Sequence, residues 1–132
     1  LLLFSSLTTT KLITSNIDEA DFIVGLINSK ALAAAIQPFQ PKGKEGERHL
    51  HTLVAKALPQ WDPNNPLHLN CLAETRNMQA DLVTLAGVSP HLAQAIQVPT
   101  ASVARRRAVV RQELDSLPNC PAYQSACKSV LL

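Results

Sequence analysis

Apolar residues recur along this chain with the period of α-helices, in segments separated by proline, glycine and asparagine. In the clearest segment, 47–58, the apolar positions follow the spacing i, i+3, i+4, i+7 and i+8 of one helix face. Further helical segments are predicted at 17–37, 67–78, 80–97, 101–116 and 121–130. The pattern therefore predicts an all-α protein, a compact bundle of five to six short helices.

An extended arm is predicted at residues 1–14, because three consecutive threonines at 8–10 lose rotamer freedom in a helix. The apolar start, residues 1–7, has no methionine or basic region. It leaves three interpretations open: the remnant of a cleaved targeting segment, a truncated chain, or an arm packed on the body or a neighbour, with the last two favoured. The first would place the protein in an organelle lumen or another targeted compartment. No run approaches the roughly 20 apolar residues of a membrane span, so no span is expected.

Residues 15–132 are expected to form a single helical domain, since a chain of this length can bury one core. Its plausible internal boundary is the proline- and asparagine-rich connector at 59–66, which divides it into halves 15–58 and 67–132. Trp61 in this connector either fills the core or marks a contact surface, and core packing is favoured.

The segment 80–97 is the most informative part of the chain, because it predicts two short helices joined by a tight turn. Gly87 is expected to end the first helix in a left-handed conformation, which glycine adopts without steric cost. Ser89 is a favourable N-cap for the second helix, and Pro90 then takes its first position, where the missing N–H costs nothing.

The segment 20–37 aligns with 80–97 without gaps, which indicates an internal duplication. The identical positions are Ala20, Asp21, Ser29, Leu32, Ala33, Ala35, Ile36 and Gln37. Most of these residues would also be shared by unrelated amphipathic helices. Because Ile27 stands where the second copy has Gly87, a hairpin and a continuous helix are both open for the first copy.

The hairpin residues form the pattern Leu82-x-x-Leu85-x-Gly87-Val88-x-Pro90-x-x-Ala93-x-x-Ile96. This pattern resembles the helix-hairpin-helix motif. In that family the amides of the hairpin face a DNA phosphate at a helix N-terminus, where the helix dipole favours an anion. Ser89 replaces the usual second glycine, and Ala86 replaces a common proline. Paired motifs are common in the family, which also has protein-binding members; the extrinsic helix-hairpin-helix subunit of photosystem II, to which the chain is distantly similar, is one.

The resemblance implies a contact site at the hairpin, formed by Gly87, Val88, Ser89 and His91, for either a protein partner or a phosphate. The residues that would supply counter-charge to such a phosphate are arginines.

The basic cluster of the chain consists of the arginines at 105–107 and 111. Three consecutive arginines point to different sides of a helix and do not form one patch. Arg107 and Arg111 are one turn apart and, together with Arg76, are candidates to flank a phosphate held at the hairpin. The alternative is a solvated face on which Arg111 pairs with Asp115.

Composition favours a protein that is partly covered by partners. Charged residues make up 17% of the chain, against about 25% in an average soluble protein. A net charge of +2 is too small for a general polyanion binder. One Trp, one Tyr and three Phe are too few for a base-stacking platform.

The three cysteines do not predict a disulfide framework. Cys120 and Cys127 are about two helical turns apart, so a bridge between them requires a break in the helix, and Pro121 lies at the wrong end to provide it. Cys71–Cys120 is the other pairing considered. Cys71 itself is expected to be a small buried hydrophobic residue.

No catalytic constellation or metal-ligand cluster is present in the sequence, so neither an enzyme nor a cofactor is predicted. We expect a non-enzymatic accessory or structural subunit that docks onto other subunits of a larger assembly through its termini and hairpin loops. The alternative is sequence-independent DNA binding through the hairpin.

Overall fold

A computed structural model of the chain describes residues 16–39, 50–97 and 103–131, all of whose regular structure is helical. The elements are α1 (Ile17–Ile27), α2 (Lys30–Ile36), a 3₁₀ helix (Gln37–Phe39), α3 (Leu50–Ala57), α4 (Pro66–Ala86), α5 (Pro90–Gln97), α6 (Val103–Leu114) and α7 (Cys120–Leu131). The predicted all-α class is confirmed. The predicted arm at 1–14 lies outside the described residues. Within the described ranges, no helix combines the length and apolar character needed to cross a membrane.

The longest helix, α4, corrects the prediction of separate helices at 67–78 and from 80 onwards. It continues unbroken for 21 residues, because no proline or glycine follows Pro66 until Gly87. The side-chain oxygen of Asn65 caps its start by accepting from the Leu67 N–H at 2.9 Å. The continuous helix spans most of the bundle and provides the surface on which α1 and α7 pack.

The first copy of the repeat, 20–37, is a pair of helices and not one continuous helix. Ser29 caps α2, its hydroxyl accepting from the Leu32 N–H at 3.2 Å. In the second copy, the Ser89 hydroxyl accepts from the Leu92 N–H at 3.4 Å. Leu32 and Leu92 are both buried. The aligned serines therefore have the same structural role, and this additional break raises the number of helices above the predicted five to six.

The main core lies where α1, α4 and α7 meet, with contributions from α5 and α6. Its buried residues are Phe22, Leu26, Cys71, Met78, Leu82, Leu92, Val110, Leu117, Cys120, Tyr123, Ala126 and Cys127. A smaller cluster between α2 and α3 contains Leu32, Ile36 and Val54. Leu58 and Leu131 pack against both clusters. Helices from before and after the connector thus share one core.

A glycine allows α1 and α4 to approach closely. A Cβ at Gly25 would lie 2.0 Å from Thr75 Oγ1 and 2.9 Å from its Cγ2, so a larger residue does not fit without movement of α4. The Gly25 carbonyl also accepts a hydrogen bond from the Tyr123 hydroxyl of α7. Gly25 is therefore a meeting point of three helices.

The start of α7 is held on α4 by one carboxylate. Asp81 Oδ2 accepts from the Asn119 backbone N–H at 3.0 Å and from Asn119 Nδ2 at 2.9 Å. These paired bonds fix the entry of the chain into α7.

Candidate contact site at the α4–α5 hairpin

The turn between α4 and α5 is closed by its own backbone hydrogen bonds. The Gly87 N–H donates to two carbonyls of the last turn of α4, both at 3.2 Å. The N–H groups of Val88 and Ser89 donate to the Leu85 carbonyl at 3.1 Å and 2.9 Å. Each amide that the resemblance assigned to a phosphate therefore already has a carbonyl partner.

The expected left-handed conformation of Gly87 is wrong. Its φ of −66° and ψ of −22° are right-handed, because its N–H continues the bonding pattern of α4 by one more residue. The chain leaves the helical path at Ser89 for a different reason. The residue before Pro90 is disfavoured in the helical region, and Ser89 adopts the role of N-cap for α5.

Two valines make this hairpin apolar on its outside. Val83, in the last turn of α4, is 71% exposed, and Val88, in the turn, is 79% exposed. They are the two most exposed of the large apolar side chains among the described residues. His91 on α5 is exposed as well. The candidate site thus presents apolar side chains, and not free amides, to its surroundings.

The exposed surface continues from Val83 along α4. Leu69, Ala73, Ala80 and Val83 are exposed and follow one another by four, seven and three positions, which places them on one face of the helix. We call these four residues the α4 stripe. It covers about 21 Å of the helix axis, and its two alanines lie on either side of the exposed Arg76.

Arg76 lies on the same face of α4 but turns towards α1. Its Nη2 is 2.5 Å from Asp18 Oδ1, and its Nε is 3.1 Å from Asp21 Oδ2. The hydrogen bonds to Asp18 and then Asp21 raise the pKa of the guanidinium. Arg76 also precedes Gly87 by about 16 Å of helix axis. It is therefore not placed to balance a phosphate at the turn.

The other two candidate arginines belong to α6. Arg111 is exposed, and the side chain of Arg107 lies outside the described residues. One contact of this helix with the hairpin is made by Arg106, whose Nε donates to the Ala95 carbonyl at 2.7 Å. No sequence signal identifies this contact, because a backbone carbonyl as acceptor imposes no residue type.

Trp61 of the connector packs against the main core. Its ring centroid lies 4.9 Å from that of Phe22 and 6.0 Å from that of His68, which is itself stacked on Phe22 at 4.8 Å. His68 Nδ1 accepts from the Asp62 N–H at 3.1 Å. These contacts fix the connector on α4 and place Trp61 away from the hairpin, among side chains of the body.

The two cysteines that lie next to each other are not those of either disulfide that the sequence suggested. Cys120 and Cys127 lie on the uninterrupted helix α7, about 10 Å apart along its axis, which exceeds the reach of a disulfide. The Sγ of Cys127 instead lies 3.6 Å from that of Cys71. All three cysteines are free and buried. Cys71 is a buried residue, as expected.

An open groove of about 500 Å³ lies between α2 and α7. Its lining includes Ala31, Ala34 and Ala35, with Lys30 and Lys128 among its polar residues. Lys30 Nζ is 2.9 Å from Asp115 Oδ1, which is the partner that the sequence had suggested for Arg111. Across the described ranges, no group of three or more His, Cys, Asp or Glu side chains is placed to hold a metal ion.

No protein-family model matches the chain, and no curated protein or solved structure is significantly similar to it. The helix-hairpin-helix resemblance therefore rests on the sequence pattern alone.

Proposed function

We propose that this protein is a non-enzymatic helical docking subunit, which binds another protein of a larger assembly through the α4–α5 hairpin. The observation that carries the proposal is the exposure of Val83 and Val88 on a turn whose backbone amides already have partners. Burying exposed apolar area is favourable. Opening the turn to bind an anion would break existing hydrogen bonds. The turn is thus suited to an apolar protein surface.

The α4 stripe extends this contact surface beyond the turn. Its members are spaced by four, seven and three residues, with Arg76 on the same face inside the seven-residue interval, and this is the heptad spacing that helix pairing uses. Leu69 and Val83 at its ends supply apolar area, and a partner helix can approach at the alanines because the head of Arg76, which lies between them, is held against α1. We infer that the partner contributes a helix that lies along α4 and ends at the hairpin.

The base of the hairpin is rigid, which lowers the entropic cost of binding. Leu82 and Leu92, one on each helix, are buried in the main core. The Ser89 cap and the Arg106 bond to the Ala95 carbonyl hold α5 in place. The exposed valines are therefore presented on a preformed surface.

The chain termini contribute less to this proposal than the sequence suggested. Val130 and Leu131, near the end of α7, pack against the core of the same molecule. The arm at 1–14 lies outside the described residues. The proposal is therefore restricted to the hairpin and the α4 stripe.

A photo-crosslinking side chain at position 88 tests the proposal in extract from the protein's source. We expect a discrete adduct at position 88, competed by excess unlabelled protein but not by the Val83→Ser, Val88→Ser double variant. A crosslinker at Ile17, which is 61% exposed on α1, is the matched control. Absence of an adduct at 88, or an equal adduct at 17, would contradict the proposal. Because both valines are exposed, the double variant should keep its stability within about 0.5 kcal/mol.

The second candidate function is sequence-independent DNA binding by the same turn, which the sequence pattern favours. It predicts duplex binding that weakens steeply with salt and is lost in Gly87→Val. Titration of labelled duplex at two salt concentrations decides between the two functions. Since the turn amides and Arg76 are already engaged, we expect no binding even at low salt.

A further inference from the structure

Two fully buried cysteines meet at the interface of α4 and α7. Their Sγ atoms are 3.6 Å apart, with Cys71 on α4 and Cys127 on α7. Neither side chain is exposed to solvent. A disulfide needs an S–S distance of about 2.05 Å. The two sulfur atoms are therefore in direct contact, at a distance longer than that of a disulfide bond.

The residues around Cys71 and Cys127 exclude solvent from the two sulfur atoms. Cys127 Sγ lies 3.8 Å from the Gly25 carbonyl oxygen, which also accepts from the Tyr123 hydroxyl. The contact with Cys71 and burial raise the pKa of the Cys127 thiol. Once the protein has folded, neither sulfur is accessible to a reagent in solution.

We infer that Cys71 and Cys127 form an intramolecular disulfide that ties α4 to α7 when the chain folds in the presence of an oxidised low-molecular-weight disulfide. Cys120 does not take part. It begins the same helix on which Cys127 lies, about two turns away.

The chemistry is two successive thiol–disulfide exchanges. One cysteine thiolate attacks the small disulfide, which forms a mixed disulfide and releases a small thiolate. The second cysteine thiolate then attacks the protein sulfur of the mixed disulfide and releases the other small thiolate. The two released thiolates take up the two cysteine protons, and the small disulfide accepts two electrons from Cys71 and Cys127. Because the folded pair is closed to solvent, the first exchange occurs before the core has closed.

The bond would close a loop of more than fifty residues between the two cysteines, which restricts the unfolded chain strongly. We expect the midpoint of thermal unfolding of the oxidised protein to lie about 10 °C or more above that of the reduced protein.

Peptide mapping identifies the bond directly in the full chain, refolded with reduced and oxidised glutathione and alkylated in denaturant. Trypsin leaves Cys120 and Cys127 on one peptide, because no Lys or Arg lies between them. Chymotrypsin, added second, cleaves after Tyr123 and separates them. We expect a Cys71–Cys127 cross-linked peptide and alkylation of Cys120 alone. Alkylation of all three cysteines, or a cross-link that contains Cys120, would overturn the inference.

The variant Cys120→Ser is the matched control. It should keep both the cross-link and the thermal shift between the oxidised and reduced forms, whereas Cys127→Ser should lose both. If Cys127→Ser does not fold, the comparison of oxidised and reduced Cys120→Ser still decides the outcome. Equal unfolding midpoints for these two forms would contradict a bond that ties α4 to α7.

Discussion

At the scale of single residues, two glycines leave very different room for a side chain. A Cβ at Gly25 would lie 2.0 Å from Thr75 Oγ1, whereas one at Gly87 would lie 3.3 Å from the nearest atom, the Thr84 carbonyl oxygen. We expect Gly25→Ala to lower the free energy of unfolding by about 2–4 kcal/mol, because α4 must move or the side chains must strain. Urea denaturation measures this change.

The control for this prediction is Gly87→Ala. Since Gly87 has a right-handed conformation, alanine fits its backbone and restricts the unfolded chain, so the free energy of unfolding should stay within about 1 kcal/mol of wild type. The variant Thr75→Ala should reduce the cost of Gly25→Ala, because it removes the hydroxyl nearest to the added carbon. Equal costs of Gly25→Ala in both backgrounds would contradict the packing described.

Residue-level prediction from the sequence succeeded where the cause was local. Ser89 caps a helix that starts one residue later, and its signal lies within four residues of sequence. The role of Gly25 was not predictable, because the atom that excludes a side chain belongs to Thr75, fifty positions away. The left-handed conformation predicted for Gly87 depended on its residue type alone. The hydrogen bonds of its N–H to the last turn of α4 determine its backbone angles instead.

At the scale of elements, the pairing of α1 with α4 depends on a charge that is partly buried. Asp21 is buried, and its Oδ2 accepts from Arg76 Nε at 3.1 Å. Arg76→Ala should lower the free energy of unfolding by about 1–3 kcal/mol, because it leaves the Asp21 carboxylate without its cation. Chemical denaturation of the variant against wild type gives the value.

Arg111→Ala is the matched control, because Arg111 is an exposed arginine on another helix; its effect should stay within about 0.5 kcal/mol. Asp21→Asn should make the later removal of Arg76 less costly, since the amide carries no charge. If both arginine variants were equally stable, the Asp21–Arg76 pair would not hold α1 on α4.

Element boundaries were predictable where a breaker residue or a cap was present. The break before α2 has a cap in Ser29, but Ile27 in the place of Gly87 and the absence of a proline left it undecided against one helix. The continuity of α4 was missed because the motif resemblance suggested a start near residue 80, although the sequence from 67 to 86 contains no breaker. The Arg76 pairing joins residues far apart in sequence, and helical periodicity carries no information on such contacts.

At the scale of the whole molecule, the sequence predicted one helical core but not which residues of different helices meet inside it. The contact between Cys71 and Cys127 depends on how α7 is rotated against α4, and several rotations satisfy the same apolar pattern. The contact site at the hairpin stays a prediction, which the sequence makes only at the level of a segment. Its amides are satisfied by local bonds to the last turn of α4, whereas the exposure of Val83 and Val88 depends on which faces the core covers.

Tyr123, a residue of the main core, makes the free energy of unfolding depend on pH in the alkaline range. Burial, with the neighbouring Cys127 and Cys71 thiols, raises the pKa of its phenol above the ordinary value of about 10. In the unfolded chain the phenol loses its proton near pH 10, while the folded protein retains it. Its contribution to stability is therefore fully present below pH 10 and is lost as the pH rises through that value towards the folded pKa.

We expect the urea midpoint of the reduced wild-type protein to fall steeply above about pH 10. Tyr123→Phe loses the bond to the Gly25 carbonyl and should be less stable by about 1 kcal/mol at pH 7. Its midpoint should nevertheless fall less steeply in alkali, because the titrating phenol is gone, so the two curves converge as the pH rises. Parallel curves from pH 7 to 11 would show that the phenol is not held protonated by the fold. Reducing conditions keep Cys71 and Cys127 as thiols, so the difference between the two curves belongs to Tyr123.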